Sequence, residues 1–132
     1  DALGAGEDDG RRRLRPGPTA ARICETAPQV HHAPSVHVHS DGGPDLATLV
    51  TPFTAQEVID ALGRLRIAPL LAGVRGEPPL DVAAIATATV GLGRFIASAQ
   101  DAVRSVDVNP LMVGGRGEGA WVVDALVERR PS

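Results

Sequence analysis

An α/β (α+β) fold, with two helices packed on a small sheet that closes in a β-hairpin, is the architecture the sequence predicts. Three observations carry it. Apolar residues keep helical spacing over 54–65 and again over 81–96. Two β-rich stretches, 103–113 and 120–127, flank a loop that is mostly glycine. A short apolar run, 46–50, precedes the first helix. The order is therefore strand, helix, helix, strand, strand.

Each element has a local reason. Leu46 to Val50 reads Leu-Ala-Thr-Leu-Val, a short strand that Pro52 ends. Thr54 is placed as a helix N-cap, and Glu57 three residues later completes a capping box. Val58, Ala61, Leu62 and Leu65 then fall on one helical face. Residues 66–80 hold Pro69, Gly73, Gly76, Pro78 and Pro79, and read as a connection. Asp81, after the two prolines, caps a second helix whose stripe is Val82, Ile85, Thr89, Leu92 and Ile96. Gly91 and Gly93 weaken that helix by about 1 kcal/mol each relative to alanine, and they permit close packing against a neighbour. Val103–Val113 and Ala120–Val127 are the two arms of the hairpin, joined by Gly114-Gly115-Arg116-Gly117-Glu118-Gly119. Trp121 alternates with Val123 and Ala125 and is expected in the core.

Composition narrows the class. At 43 % hydrophobic the chain can build a core, and at 2 % aromatic that core must be Val, Leu, Ile and Ala. A formal net charge of −3 argues against a general nucleic-acid binder. No apolar run approaches the ~18 residues of a membrane span, and no signal-peptide pattern is present. Cys24, the single cysteine, has no partner for an internal disulfide. These features predict a cytoplasmic protein without nucleic-acid or membrane partners. Residues 1–44 hold an acidic patch (Glu7, Asp8, Asp9), a basic run (Arg11, Arg12, Arg13, Arg15) and five prolines, without sustained periodicity. They are expected to be an irregular, poorly ordered arm, with 45–132 as the folded domain.

The chemistry concentrates in Asp107-Val108-Asn109-Pro110-Leu111 and in Asp124 on the next arm. Strand alternation puts Asp107 and Asn109 on one face, and Val106 and Val108 on the other, under the helices. In a symmetric hairpin, residues whose numbers sum to 233 are opposed, and Asn109 and Asp124 are such a pair. Opposed residues share a face with Cβ atoms about 4.5–5.5 Å apart. One carboxylate and one amide oxygen suit Mg²⁺, which takes hard oxygens and few protein ligands. On spacing alone the same residues also suit a polar, solvent-facing strand edge, and a bulge near the loop would shift the pairing by one.

Asp-Val-Asn-Pro-Leu, a hairpin and then Val-Val-Asp-Ala resembles the end of the ATP-grasp domain in ADP-forming acyl-CoA synthetases and the succinyl-CoA synthetase β subunit. Ala68 to Pro79, Ala-Pro-Leu-Leu-Ala-Gly-Val-Arg-Gly-Glu-Pro-Pro, resembles a stretch of the acyl-CoA synthetase branch, and Asp45 to Thr54 resembles the lead-in to the penultimate helix. The likeness covers about 80 residues, in three motifs in order. It implies a partial ATP-grasp subdomain in which Asn109 and Asp124 match the magnesium ligands of an ATP/ADP site. Asp107 matches an acidic position, often glutamate, near the reacting group, and so is the catalytic candidate. Arg75 is the candidate phosphate contact. The implied partners are the nucleotide and the remaining ATP-grasp and CoA-binding domains. Lysine is absent, and nothing resembles the family's lid. We therefore expect a fragment, a split component or a degenerate copy. Its alternative role is that of a non-catalytic interaction module.

His31, His32, His37 and His39, with Asp41 nearby, form a further cluster. Cys24 stands apart in sequence and no second histidine group follows, so the sequence reads as exposed imidazoles rather than a built zinc site.

Overall fold

The computed structural model describes residues 19–26, 34–40, 45–74 and 76–131. The elements are β1 (Thr19–Thr26), β2 (Ser35–Ser40), β3 (Leu46–Val50), α1 (Ala55–Leu62), the single turn α2 (Ala68–Leu71), α3 (Val82–Ser98), β4 (Val103–Val113), β5 (Ala120–Val122) and β6 (Ala125–Arg129). All strand pairs are antiparallel and form one six-stranded sheet, ordered β3-β2-β1-β4-β5, with β6 also on β4.

The core lies between one face of this sheet and the helices. Ile23, Val36, Val38, Ala47, Leu49, Val106, Val108, Leu111 and Val113 are buried from the sheet side. Val58, Ala61 and Leu62 of α1, and Ile85, Ala86 and Ile96 of α3, meet them. Among the described residues no aromatic ring is in the buried core. Among the described residues no helix is long and apolar enough to cross a membrane.

The helix signals hold. Thr54 accepts from Glu57 N–H at 3.1 Å through its hydroxyl, and Glu57 Oε1 accepts from Thr54 N–H at 3.0 Å, a complete capping box. Asp81 Oδ1 caps α3 by accepting from Ala84 N–H at 3.0 Å. Gly93 does admit a neighbour: a Cβ there would stand 2.9 Å from the Phe53 ring. Gly91 faces open space instead.

Several expectations need correction. Thr19–Thr26 and Ser35–Ser40, inside the span expected to be irregular, are strands, and β1 lies between β2 and β4. Their alternation is only a few residues long, and its meaning depends on partners distant in sequence. The expectation for residues 1–18, 27–33 and 41–44 lies outside the described residues. The arm expected as one strand over 120–127 is two, interrupted at Val123 and Asp124. Trp121 is 47 % exposed rather than in the core, on β5 at an edge of the sheet. Residues 68–71 add a helical turn, and both Asp45 oxygens accept backbone N–H groups just before it, from Arg66 at 3.0 Å and Ile67 at 3.1 Å.

Candidate functional site

The hairpin register is the one the symmetric loop predicts. Leu111 opposes Val122, Val108 opposes Ala125, Asp107 opposes Leu126 and Val106 opposes Val127. Asn109 and Asp124 are backbone partners within it: Asn109 N–H donates to the Asp124 carbonyl at 3.0 Å, and Val123 N–H donates to the Pro110 carbonyl at 3.1 Å. Both side chains are exposed. Asp124 Oδ1 accepts from Ala125 N–H at 2.9 Å, a local bond that fixes the carboxylate beside the break between β5 and β6.

A bulge is present, but it lies on the other side of β4. Ile23 pairs with Val108 and Ala21 with Leu111, so β4 carries one residue more than β1 at this point. Val108 and Leu111 are both buried although three residues apart, so two residues, Asn109 and Pro110, stand against a single position of β1. Bulges bend a strand and re-aim its side chains, and they recur beside functional sites. Here the irregularity runs through β4 and into the break at Val123 and Asp124.

Val106 and Val108 turn to the helices, at 4 % and 8 % exposed. Asp107 between them is half-buried on the opposite face of β4, with Cys24 and Leu126 as its register partners on either side. The structure thus brings Asp107, Asn109 and Asp124 into neighbouring positions on one part of the sheet. Arg75 lies outside the described residues.

Sequence reasoning missed a support beneath the hairpin loop. Asp81 not only caps α3. Its Oδ2 also accepts from Gly117 N–H at 3.1 Å and Gly119 N–H at 2.8 Å. Asp81 N–H donates to the Gly114 carbonyl at 2.9 Å, and Arg116 N–H donates to the Pro79 carbonyl at 2.8 Å. Gly117 and Gly119 hold φ of 83° and 87°, a region that favours glycine and lets their N–H groups converge on one carboxylate. The backbone donors from Gly119, Ala84 and Gly117 hold the Asp81 carboxyl below its ordinary pKa. No local pattern signals such a contact across more than 30 residues.

The sheet face away from the helices also carries His37 and His39, both half-buried. Burial pushes the His37 pKa below the usual imidazole range, and the nearby His39 adds to the effect.

Comparison with known proteins agrees with the fold. Residues 38–128 match the family of the ATP-grasp domain. The chain is 32 % identical over 83 residues to the β subunit of the ADP-forming acetate–CoA ligase II of Pyrococcus furiosus, a match covering 63 % of this chain and 35 % of that protein. It is 42 % identical over 80 residues to a trans-feruloyl-CoA synthase of an unknown prokaryotic organism, covering 60 % of this chain and 11 % of the relative. The fold superposes on the dinucleotide-forming acetyl-coenzyme A synthetase 1 of Ca. Korarchaeum cryptofilum with a TM-score of 0.74 at 26 % identity, covering 87 % of this chain and 51 % of that one. A protein from Pyrococcus horikoshii shares the fold at a TM-score of 0.78 and 22 % identity, with 89 % of this chain and 51 % of that chain covered. The chain thus spans about a third of the ligase β subunit and about half of the solved chains it matches. With the sheet and the match over 38–128 in agreement, the chain belongs to the ATP-grasp domain family.

Proposed function

We propose that this chain provides the magnesium-nucleotide end of an ADP-forming acyl-CoA synthetase, which interconverts acid, CoA and ATP with acyl-CoA, ADP and phosphate. The observation that carries the proposal is the backbone pairing of Asn109 with Asp124 at the bulged end of β4. The pair offers one amide oxygen and one carboxylate, both exposed, a donor set of hard oxygens that fits Mg²⁺. Asn109 on β4 and Asp124 at the break between β5 and β6 would hold the ion, with phosphates and water supplying its other ligands. When bound, magnesium neutralises phosphate charge during transfer. Asp107, two residues from Asn109, orients the group in transfer by charge or hydrogen bonding. Arg75 contacts a phosphate; the support for that role is the sequence resemblance alone.

The partners follow from the share of the relatives that the chain spans. The nucleotide is covered by the remaining part of the ATP-grasp domain, and a CoA-binding domain completes the reaction. One solved relative was crystallised with coenzyme A and Mg-AMPPCP, its phosphohistidine segment pointing towards the nucleotide binding site, which supports magnesium and nucleotide as the ligands here. The test is calorimetric titration of the chain with ADP and with an ATP analogue, in Mg²⁺ and in chelator. Binding should be weak and Mg²⁺-dependent, more damaged by Asp124→Ala than by Asn109→Ala, since the carboxylate carries the charge. Binding indifferent to magnesium, or unaltered in both variants, would refute the assignment.

A further inference from the structure

The helix side of the molecule carries a cleft that the nucleotide site does not use. It opens between α1, the α2 turn and the start of α3, with a volume of about 490 Å³, and Ile59, Leu62, Leu71, Leu80 and Val82 wall it. Leu62 and Leu71 belong to the buried core, whereas Ile59, Leu80 and Val82 are only half-buried. Clefts of about 300–1,000 Å³ with apolar walls and a few placed polar groups are the usual form of a small-molecule site. The walls are held by bonds already in place. Leu80 N–H donates to the Leu71 carbonyl at 2.9 Å, and Leu80 bridges Gly115 of the hairpin loop. Arg116 N–H donates to the Pro79 carbonyl at 2.8 Å, which fixes the backbone of the loop arginine that lines the cleft.

The charges there are met unequally. Asp81 also lines the cleft, and its two oxygens accept three backbone N–H groups. Glu118, two residues from Arg116, accepts from Gly115 N–H at 2.7 Å. Arg116 is exposed and has no acidic partner among the described residues.

We propose that this cleft binds an amphipathic monocarboxylate, with its apolar chain against the aliphatic walls and its carboxylate on the Arg116 guanidinium. The guanidinium fork matches a carboxylate with two parallel N–H bonds. One cation with an ionised Asp81 in the same lining suits a single negative charge better than the two of a phosphate group. An alcohol of the same length gains only the walls, and an amine is repelled by the arginine. The inference does not rest on the magnesium reading, since none of these residues belongs to that site.

The experiment is an amide NMR titration of the purified full chain with octanoate, octanol and octylamine. Octanoate should shift the amides of Leu62, Ala72, Leu80 and Ala83 saturably. Octanol should act on the same amides at least tenfold more weakly, and octylamine should not bind. Arg116→Glu should weaken octanoate at least tenfold and leave octanol unchanged. Ala72 and Ala83 line the cleft and are exposed, so Ala72→Trp and Ala83→Trp should fill it and remove both ligands. Should a tryptophan variant lose its dispersed spectrum, Arg116→Glu in the exposed loop decides alone. Octanoate binding no tighter than octanol overturns the proposal. So do shifts that centre on Trp121 and Leu126 at the sheet edge, and octanoate binding that survives Arg116→Glu.

Discussion

Asp81 shows how one side chain ties a helix start to a distant hairpin loop. Its two carboxylate oxygens take N–H groups from the first turn of α3 and from two loop glycines. Those bonds need the ionised form, which is why its pKa sits below the ordinary 3.8. The sign of the pH effect follows. A depressed folded-state pKa gives stability that is full above the unfolded value and is lost as pH falls through the folded value. We predict that Asp81→Asn lowers the melting temperature at neutral pH. The gap to the unchanged chain should narrow as the pH drops below about 4. Melting curves across that range test this, and a gap that stays constant with pH would sink it. The N-cap half of this role was legible, since Asp81 follows two prolines and precedes a helical stripe. The loop half was not, because the glycines it serves are 36 and 38 residues away. Asn109 and Asp124 could be paired by counting across the hairpin, whereas the place of β1 beside β4 shows only in the ladder.

At the level of elements, the helices were readable because their signals are local. Thr54 and Glu57 form the box their spacing predicts. Thr54→Ala should therefore cost about 1 kcal/mol, within a range of roughly 0.5–2, measurable by denaturant unfolding. A matched pair within α3 separates propensity from packing. At Gly91 a methyl group meets nothing within 4 Å, so Gly91→Ala should stabilise by up to about 1 kcal/mol through helix propensity. At Gly93 the same methyl would stand 2.9 Å from the Phe53 ring and 3.4 Å from Thr51 Cγ2. The gain there is offset by overpacking, and Gly93→Ala should destabilise by about 1–3 kcal/mol. Equal effects at the two positions would show that Phe53 simply moves away. The strands were less readable. β4 was bounded correctly by its long Val-rich run, but the break at Val123 and Asp124 has no local breaker to announce it.

At the scale of the whole molecule, the decisive fact is where β1 and β2 sit. The sequence suggests a folded unit beginning near Asp45, because periodicity becomes regular there. In the sheet, however, β2 and β1 stand between β3 and β4. Without them β3 loses its ladder partner and β4 has one bare edge. Ile23, Val36 and Val38, at 1 %, 0 % and 2 % exposed, would leave the core together. Burial of each such side chain is worth about 1.5–3 kcal/mol, so the three approach the 5–15 kcal/mol by which a domain is stable at all. We therefore predict that a chain of residues 45–132 alone does not unfold cooperatively, while one that begins at residue 19 does. Circular dichroism melts and amide exchange distinguish the two. A sharp transition from 45–132, with β4 amides as protected as in the full chain, would show that the helices and the terminal hairpin hold together unaided. The same experiment bears on function. The bulge that sets Asn109 and Pro110 apart is defined by the pairing of β4 with β1. A truncated chain that still folded would lack the β1 pairing that bends β4 at Asn109 and Pro110, and should bind magnesium-nucleotide more weakly than the full chain.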